Sequence, residues 1–175
     1  MNQDIVIPMI VLTECQAADP HAAIVGTLLL TADERTRSRY RHDLPNNLTV
    51  YLQLPRGTVL KEGDLLRSDN GELFRIAAKS EPVLTVTAST PLNLMLAVYH
   101  LANRHVPLEV TATYLRLAPD PVLKSLLIEQ LHTQVTEEIA PFCPQAGAYQ
   151  AHGHNHRQKH EHSHSHDSHS HDHSH

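Results

Sequence analysis

From residue 24 to about residue 80, apolar positions come in short runs bounded by turn residues. IVGTLLLT (24–31) is apolar and partly β-branched, which suits a strand. TVYLQLP (49–55) alternates, so Val50, Leu52 and Leu54 share one face, the period-two mark of a half-buried strand. LLRSDNGELFRIAA (65–78) reads as a hairpin, because Asn70-Gly71 is a strong two-residue turn signal. A second turn is expected at Lys61-Glu62-Gly63-Asp64. Short strands between turns predict a small all-β N-terminal domain.

The texture changes after Glu81-Pro82. VLTVTA (83–88) is a strand candidate, and Ser89 or Thr90 can cap a helix that begins at Pro91. Leu92, Met95, Leu96 and Tyr99 then fall on one helical face, and Asn103 is a plausible stop. PLEVTATYLRL (107–117) supplies one strand or a tight pair. Asp120-Pro121 opens a second helix carrying Val122, Leu123, Leu126, Leu127 and Leu131, and a last strand is expected within 133–140. The order β-α-β-β-α-β is the split pattern of a ferredoxin-like domain. The predicted class is α+β: an all-β domain over 1–81, a ferredoxin-like domain over 82–150 and a tail over 151–175. No internal repeat interrupts this plan.

Composition changes the picture only at the C-terminus. From His152 onward the chain has no apolar side chain, and it holds 11 of the 16 histidines: His152, His154, His156, His160, His162, His164, His166, His169, His171, His173 and His175. Such a segment buries too little surface to offset ordering entropy, so it is expected to be disordered without a ligand. Neutral imidazoles at H-x-H spacing suit Ni2+, and Zn2+ and Cu2+ fit the same ligands. Asp167 and Asp172 add oxygen donors. An expression tag is usually an uninterrupted His run; this tail is interleaved with Ser, Asp, Asn, Gly and Glu, which favours a metal-binding segment. Nothing fixes its ligands, so it is no catalytic site.

A net charge of -5 argues against a nucleic-acid partner. No run of eighteen apolar residues predicts a membrane span, and the first residues make a poor signal peptide. Cys15 and Cys143 form no C-x-x-C and read as buried reduced thiols of a cytoplasmic protein. The chain has no H-E-x-x-H, G-x-S-x-G, P-loop or dinucleotide loop, so an enzyme is not expected.

Two body segments carry further candidates. In YHLANRHVPLEV (99–110), His100 and His105 lie five apart, which is not a helical ligand pair; alone, His105 reads as a structural or surface histidine. Arg35, Arg37, Arg39 and Arg41 surround Tyr40; they form either a solvated face or a docking surface for a partner. His21, His42 and His132 read as surface residues, and Cys143 as a structural thiol more than a ligand.

The same stretch, YHLANRHVPLEV, resembles the Y-H-L-G-N-R-H-x-P motif of the urease accessory metallochaperone family usually called UreE. LTADERTRSRYRHDLPNNLTVYLQLPRGTVLKEGDLL (30–66) resembles that family's first domain, through R-x-x-S-R at Arg35, Ser38 and Arg39 and the L-P-R-G-T-x-L-x-x-G-D-x-L run at 54–66. PQAGAY (144–149) resembles the segment that closes its second domain, and many members continue into a His-rich tail. The resemblance implies a homodimer paired through the second domain. It implies that His105 of both subunits binds one metal ion at the interface, with His100 ranked below it. The function it implies is capture of Ni2+ and delivery to apo-urease, with the urease apoprotein and the urease accessory GTPase complex as partners. A general store or buffer for Ni2+, Zn2+ or Cu2+ is the alternative that the tail alone leaves open. Two positions depart from the family pattern. Ala102 replaces the motif glycine, which argues against a positive φ there. Pro119-Asp120-Pro121 stands where some members carry H-x-H before the second helix, so an internal auxiliary site is expected to be absent.

Overall fold

The alternation of TVYLQLP becomes strand β4 (Thr49–Gln53) in the computed structural model, which describes residues 9–45 and 48–145. Val50, Leu52 and Leu54 are all buried, as their shared face predicted. Five more strands complete the first sheet: β1 (Met9–Gln16), β2 (Gly26–Leu30), β3 (Arg39–Asp43), β5 (Leu65–Ser68) and β6 (Leu73–Ala78). Their order is β2-β6-β5-β1-β4-β3. β1 lies parallel to β4 and antiparallel to β5, at the centre of the sheet. Leu12, Leu28, Leu30, Val50, Leu52, Leu66, Phe74 and Ile76 make the core beneath it.

The β5–β6 hairpin differs in detail from its sequence signal. Gly71 N–H donates to Ser68 O at 3.0 Å, and Ser68 N–H donates to Glu72 O at 2.9 Å. Gly71 has φ 89° while Asn70 is not in the left-handed region, so the loop holds three residues, Asp69 to Gly71. A two-residue type I′ turn would need positive φ at two successive positions. The turn at Lys61–Asp64 forms as expected, with Gly63 at φ 86°.

Lys79 alone separates β6 from β7 (Ser80–Thr87), the first strand of a second, antiparallel sheet. α1 (Pro91–Ala102) follows, then β8 (Glu109–Val110), β9 (Leu115–Leu117), α2 (Pro121–Ser125) and β10 (Gln134–Pro141). The strand order is β10-β7-β9-β8. Segment 107–117 is thus a tight pair. Among the described residues the fold is α+β, mostly sheet with two α-helices.

Both helices start where capping chemistry demands. The Thr90 side chain accepts from Asn93 N–H, with Pro91 at the first helical position. Asp120 accepts from Val122 and Leu123 N–H at 2.8 and 2.9 Å. α2 runs into a π-helical turn, Leu126–Gln130, where Leu131 N–H reaches back to Leu126 O. Leu84, Val86, Leu94, Ala97, Leu101, Leu108, Leu115, Leu117 and Leu127 form the second core.

Between the two sheets lies a small seam of Ala32, Val83, Ala140 and Phe142. Ala32 N–H donates to Glu81 at 2.7 Å, and Lys79 N–H to Leu30 O at 2.9 Å.

Candidate metal centre

α1 carries apolar residues on two opposite faces. Leu94, Ala97, Val98 and Leu101 pack on the sheet. Leu92, Met95, Leu96 and Tyr99 form the stripe that the sequence also marks, but they are exposed, at 59, 61, 44 and 62%. A helix that is apolar all round is normally covered all round. The exposed stripe runs toward the C-terminal end of α1, where His100 and His105 sit.

That end has a defined geometry. His105 N–H donates to Ala102 O at 2.9 Å, and Val106 N–H donates to Leu101 O at 3.3 Å. The two bonds make a Schellman close, with Val106 packed in the same core as Leu101. His105 occupies the left-handed position of that close, at φ 57°, where glycine is the usual residue. Ala102 is helical, so the strain expected to be absent at 102 is present three residues on. His105 is exposed; His100 is half-buried on the last turn, its ring edge-on to Tyr99 at 5.4 Å.

His100 and His105 therefore share one helix end, but no described residue completes a shell around them. Among the described residues no group of three or more His, Cys, Asp or Glu side chains can hold a metal ion. Asp120 Oδ1 caps α2, and the side chains of Pro119 and Pro121 carry no ligand atom. Gln145 N–H, at the last described residue, donates to Leu108 O at 2.7 Å; Leu108 lies three residues along the chain from His105. All eleven tail histidines lie outside the described residues.

Comparison with known proteins settles the family. The model of the UreE urease accessory protein C-terminal domain matches residues 81–175, and that of its N-terminal domain matches residues 11–79. The chain belongs to the UreE family of urease accessory proteins. The urease accessory protein UreE of Nostoc sp. is 54% identical, over 82% of this chain and 98% of its own length. That of Microcystis aeruginosa is 54% identical, over 77% of this chain and 84% of its own. That of Thermosynechococcus vestitus is 51% identical, over 71% and 87%. The UreE relationship thus spans both sheets.

The arginine cluster of this UreE member divides on inspection. Arg35 is buried, at 5% exposure, so it is not available to a partner. Its guanidinium donates to Phe142 O and lies 3.8 Å from Cys143 Sγ, tying the first sheet to the end of the second. Arg37 is exposed, pairs with Asp33 at 2.5 Å and lies 5.5 Å over the Tyr40 ring. Arg41 pairs with Asp43 at 3.2 Å. Arg39 and Arg41 rim a groove of about 550 Å³ floored by Met9, Val11 and Tyr51.

Other expectations need correcting. Cys15 is exposed, not buried; partial burial of its sulfur and the charge of Asp64, 3.8 Å away, push its thiol up to about 11. His42 is half-buried instead of on the surface, and that burial lowers its imidazole below the ordinary range against the opposing pull of Glu34. His21 and His132 are exposed as expected.

One polar network carries no sequence signal. Arg116 contacts Glu109 at 3.6 Å, Glu138 at 3.3 Å and the Tyr114 ring at 4.7 Å, while Glu109 also accepts from Cys143 N–H at 2.7 Å. Tyr114 donates to Glu109, which raises the phenol, and a hydrogen bond from Thr85 lowers the Glu138 carboxyl. These residues come from four separate segments, so only the sheet register brings them together.

Proposed function

We propose that this chain is a cytoplasmic, homodimeric nickel metallochaperone that captures Ni2+ and delivers it to apo-urease through the urease accessory GTPase complex. The observation that carries the reading is a half-site. His105 is held on a strained helix end, exposed, beside an uncovered apolar stripe, with no cluster of three ligand side chains around it among the described residues. A two-fold axis along the stripe would supply the second His105 without further sequence.

Two imidazoles leave coordination positions open, and we assign His152, His154 and His156 as the nearest candidates to fill them. Six residues lie between Gln145 and His152, so seven steps of extended chain reach at most about 25 Å. The tail would thereby raise the local nickel concentration at the axis. The remaining tail histidines, and His100 with lower weight, serve capture. Affinity would fall as imidazoles protonate.

We further assign three parts to the chain: an all-β domain over 1–81, a ferredoxin-like domain over 82–150 and the metal-binding tail over 151–175. The strand order β10-β7-β9-β8, with a helix at each crossover, supports the ferredoxin-like assignment. Strand β7 already begins at Ser80, which favours a division two residues earlier. Arg37 and Arg39 are the partner-docking candidates that remain once Arg35 is set aside.

A delivery assay tests the function. The nickel-loaded chain is mixed with apo-urease and the accessory GTPase complex, with a chelator that strips free nickel. A chaperone activates urease under these conditions, and the His105→Ala chain does not. A general metal store gives no activation with either chain.

A further inference from the structure

We propose that Arg104 sets the metal affinity of the His105 centre, keeping it low enough for the ion to be passed on. This rests on His105 being a metal ligand, and extends it to the residue that controls release.

The geometry is specific. In a regular helix the amide of residue 104 would bond the carbonyl of residue 100. Here Arg104 N–H donates instead to Leu101 O at 3.0 Å, because the Schellman close tightens the last turn. The His100 carbonyl is thus released, and the Arg104 guanidinium takes it, Nη1 to O, at 2.8 Å. The side chain is thereby folded back over the last turn, between the two candidate ligand residues in sequence. Arg104 is exposed, and among the described residues no carboxylate pairs with it.

A helix C-terminus carries partial negative charge and favours cations. A metal held by His105 would gain from that field. Arg104 opposes it with the full positive charge of a guanidinium. Two-fold pairing would place two such charges around one divalent ion. The centre is then a cation site with a built-in repulsion, and capture falls to the tail.

The test uses the full chain and nickel sulfate, with the dissociation constant of the site that His105→Ala abolishes read by competition against a chromogenic chelator at low and high salt. Arg104→Gln is expected to tighten that site by about three- to tenfold, the scale of removing exposed unit charges near a divalent ion. Arg104→Lys, which keeps the charge, is expected to stay near the parent chain. Added salt tightens the parent more than the Gln variant, because it screens the repulsion. In an Arg104→Gln, His105→Ala double variant the tightening disappears, which excludes an effect through the tail. Unchanged or weaker binding in Arg104→Gln, with the tight site still lost in His105→Ala, overturns the role of Arg104 and leaves the His105 centre standing. If His105→Ala abolishes no site, the centre itself falls, and the proposal with it.

Discussion

The amide of Val106 reaches back 3.3 Å to the carbonyl of Leu101, and this bond across the end of α1 holds His105 in the left-handed region. The side chain that the metal reading needs most therefore stands where the backbone least favours it. Non-glycine residues in that region cost about 1 kcal/mol or more, and such costs gather at functional positions.

His105→Gly should accordingly stabilise the metal-free chain, by about 1 kcal/mol, while His105→Ala leaves stability nearly unchanged. Urea unfolding in the presence of a chelator, at one fixed protomer concentration, measures both. A glycine variant less stable than the parent contradicts the strain.

The two faces of α1 should respond differently. Met95→Glu or Tyr99→Glu places charge on the uncovered stripe and should give a folded monomer by sedimentation. Leu101→Ala opens a cavity in the second core and should cost about 2–5 kcal/mol of stability. Dimers that persist in both stripe variants would move the interface elsewhere.

Arg35 and Arg39 differ in the same way. Arg35→Ala removes a buried charge-assisted hydrogen bond to Phe142 O, with an expected loss of about 2 kcal/mol. Arg39→Glu, on the groove rim, should change stability by less than about 0.5 kcal/mol and weaken partner binding instead. Chemical denaturation and binding to the accessory GTPase complex read the two effects separately.

His42 gives a pH signature. Its folded imidazole lies below its unfolded value of 6.5, so the unfolded chain binds more protons as pH falls below that value. Stability contributed by neutral His42 is present above pH 6.5 and is lost as pH falls through 6.5 toward the lowered folded value. His42→Gln should flatten the metal-free stability profile between pH 7 and 5. Asp43 and Glu34, both lowered, act only at more acidic pH.

Local chemistry was legible in the sequence. Val50, Leu52 and Leu54, the Thr90-Pro91 and Asp120-Pro121 helix starts and the Gly63 turn all stand where pattern and capping rules place them. Long-range choices were not. β1 runs parallel to a strand some forty residues away, which no local pattern encodes. Both stripes of α1 are apolar, so periodicity alone does not say which one meets the sheet. Arg35 looks like its neighbours Arg37 and Arg39 until the segment after β10, at Phe142, folds onto it. At the candidate centre, the histidines were legible as a motif, whereas the backbone strain of His105 follows from the helix close and has no residue signature of its own.

On the proposed function, the body of the chain holds half of a metal site. Nickel titration calorimetry on the chain stopped at Ala151, and on the same chain with His105→Ala, tests it most directly. The expected result is one tight nickel per two chains in the first protein and none in the second. Absence of any tight site in the first protein, with binding confined to the full-length chain, would contradict it.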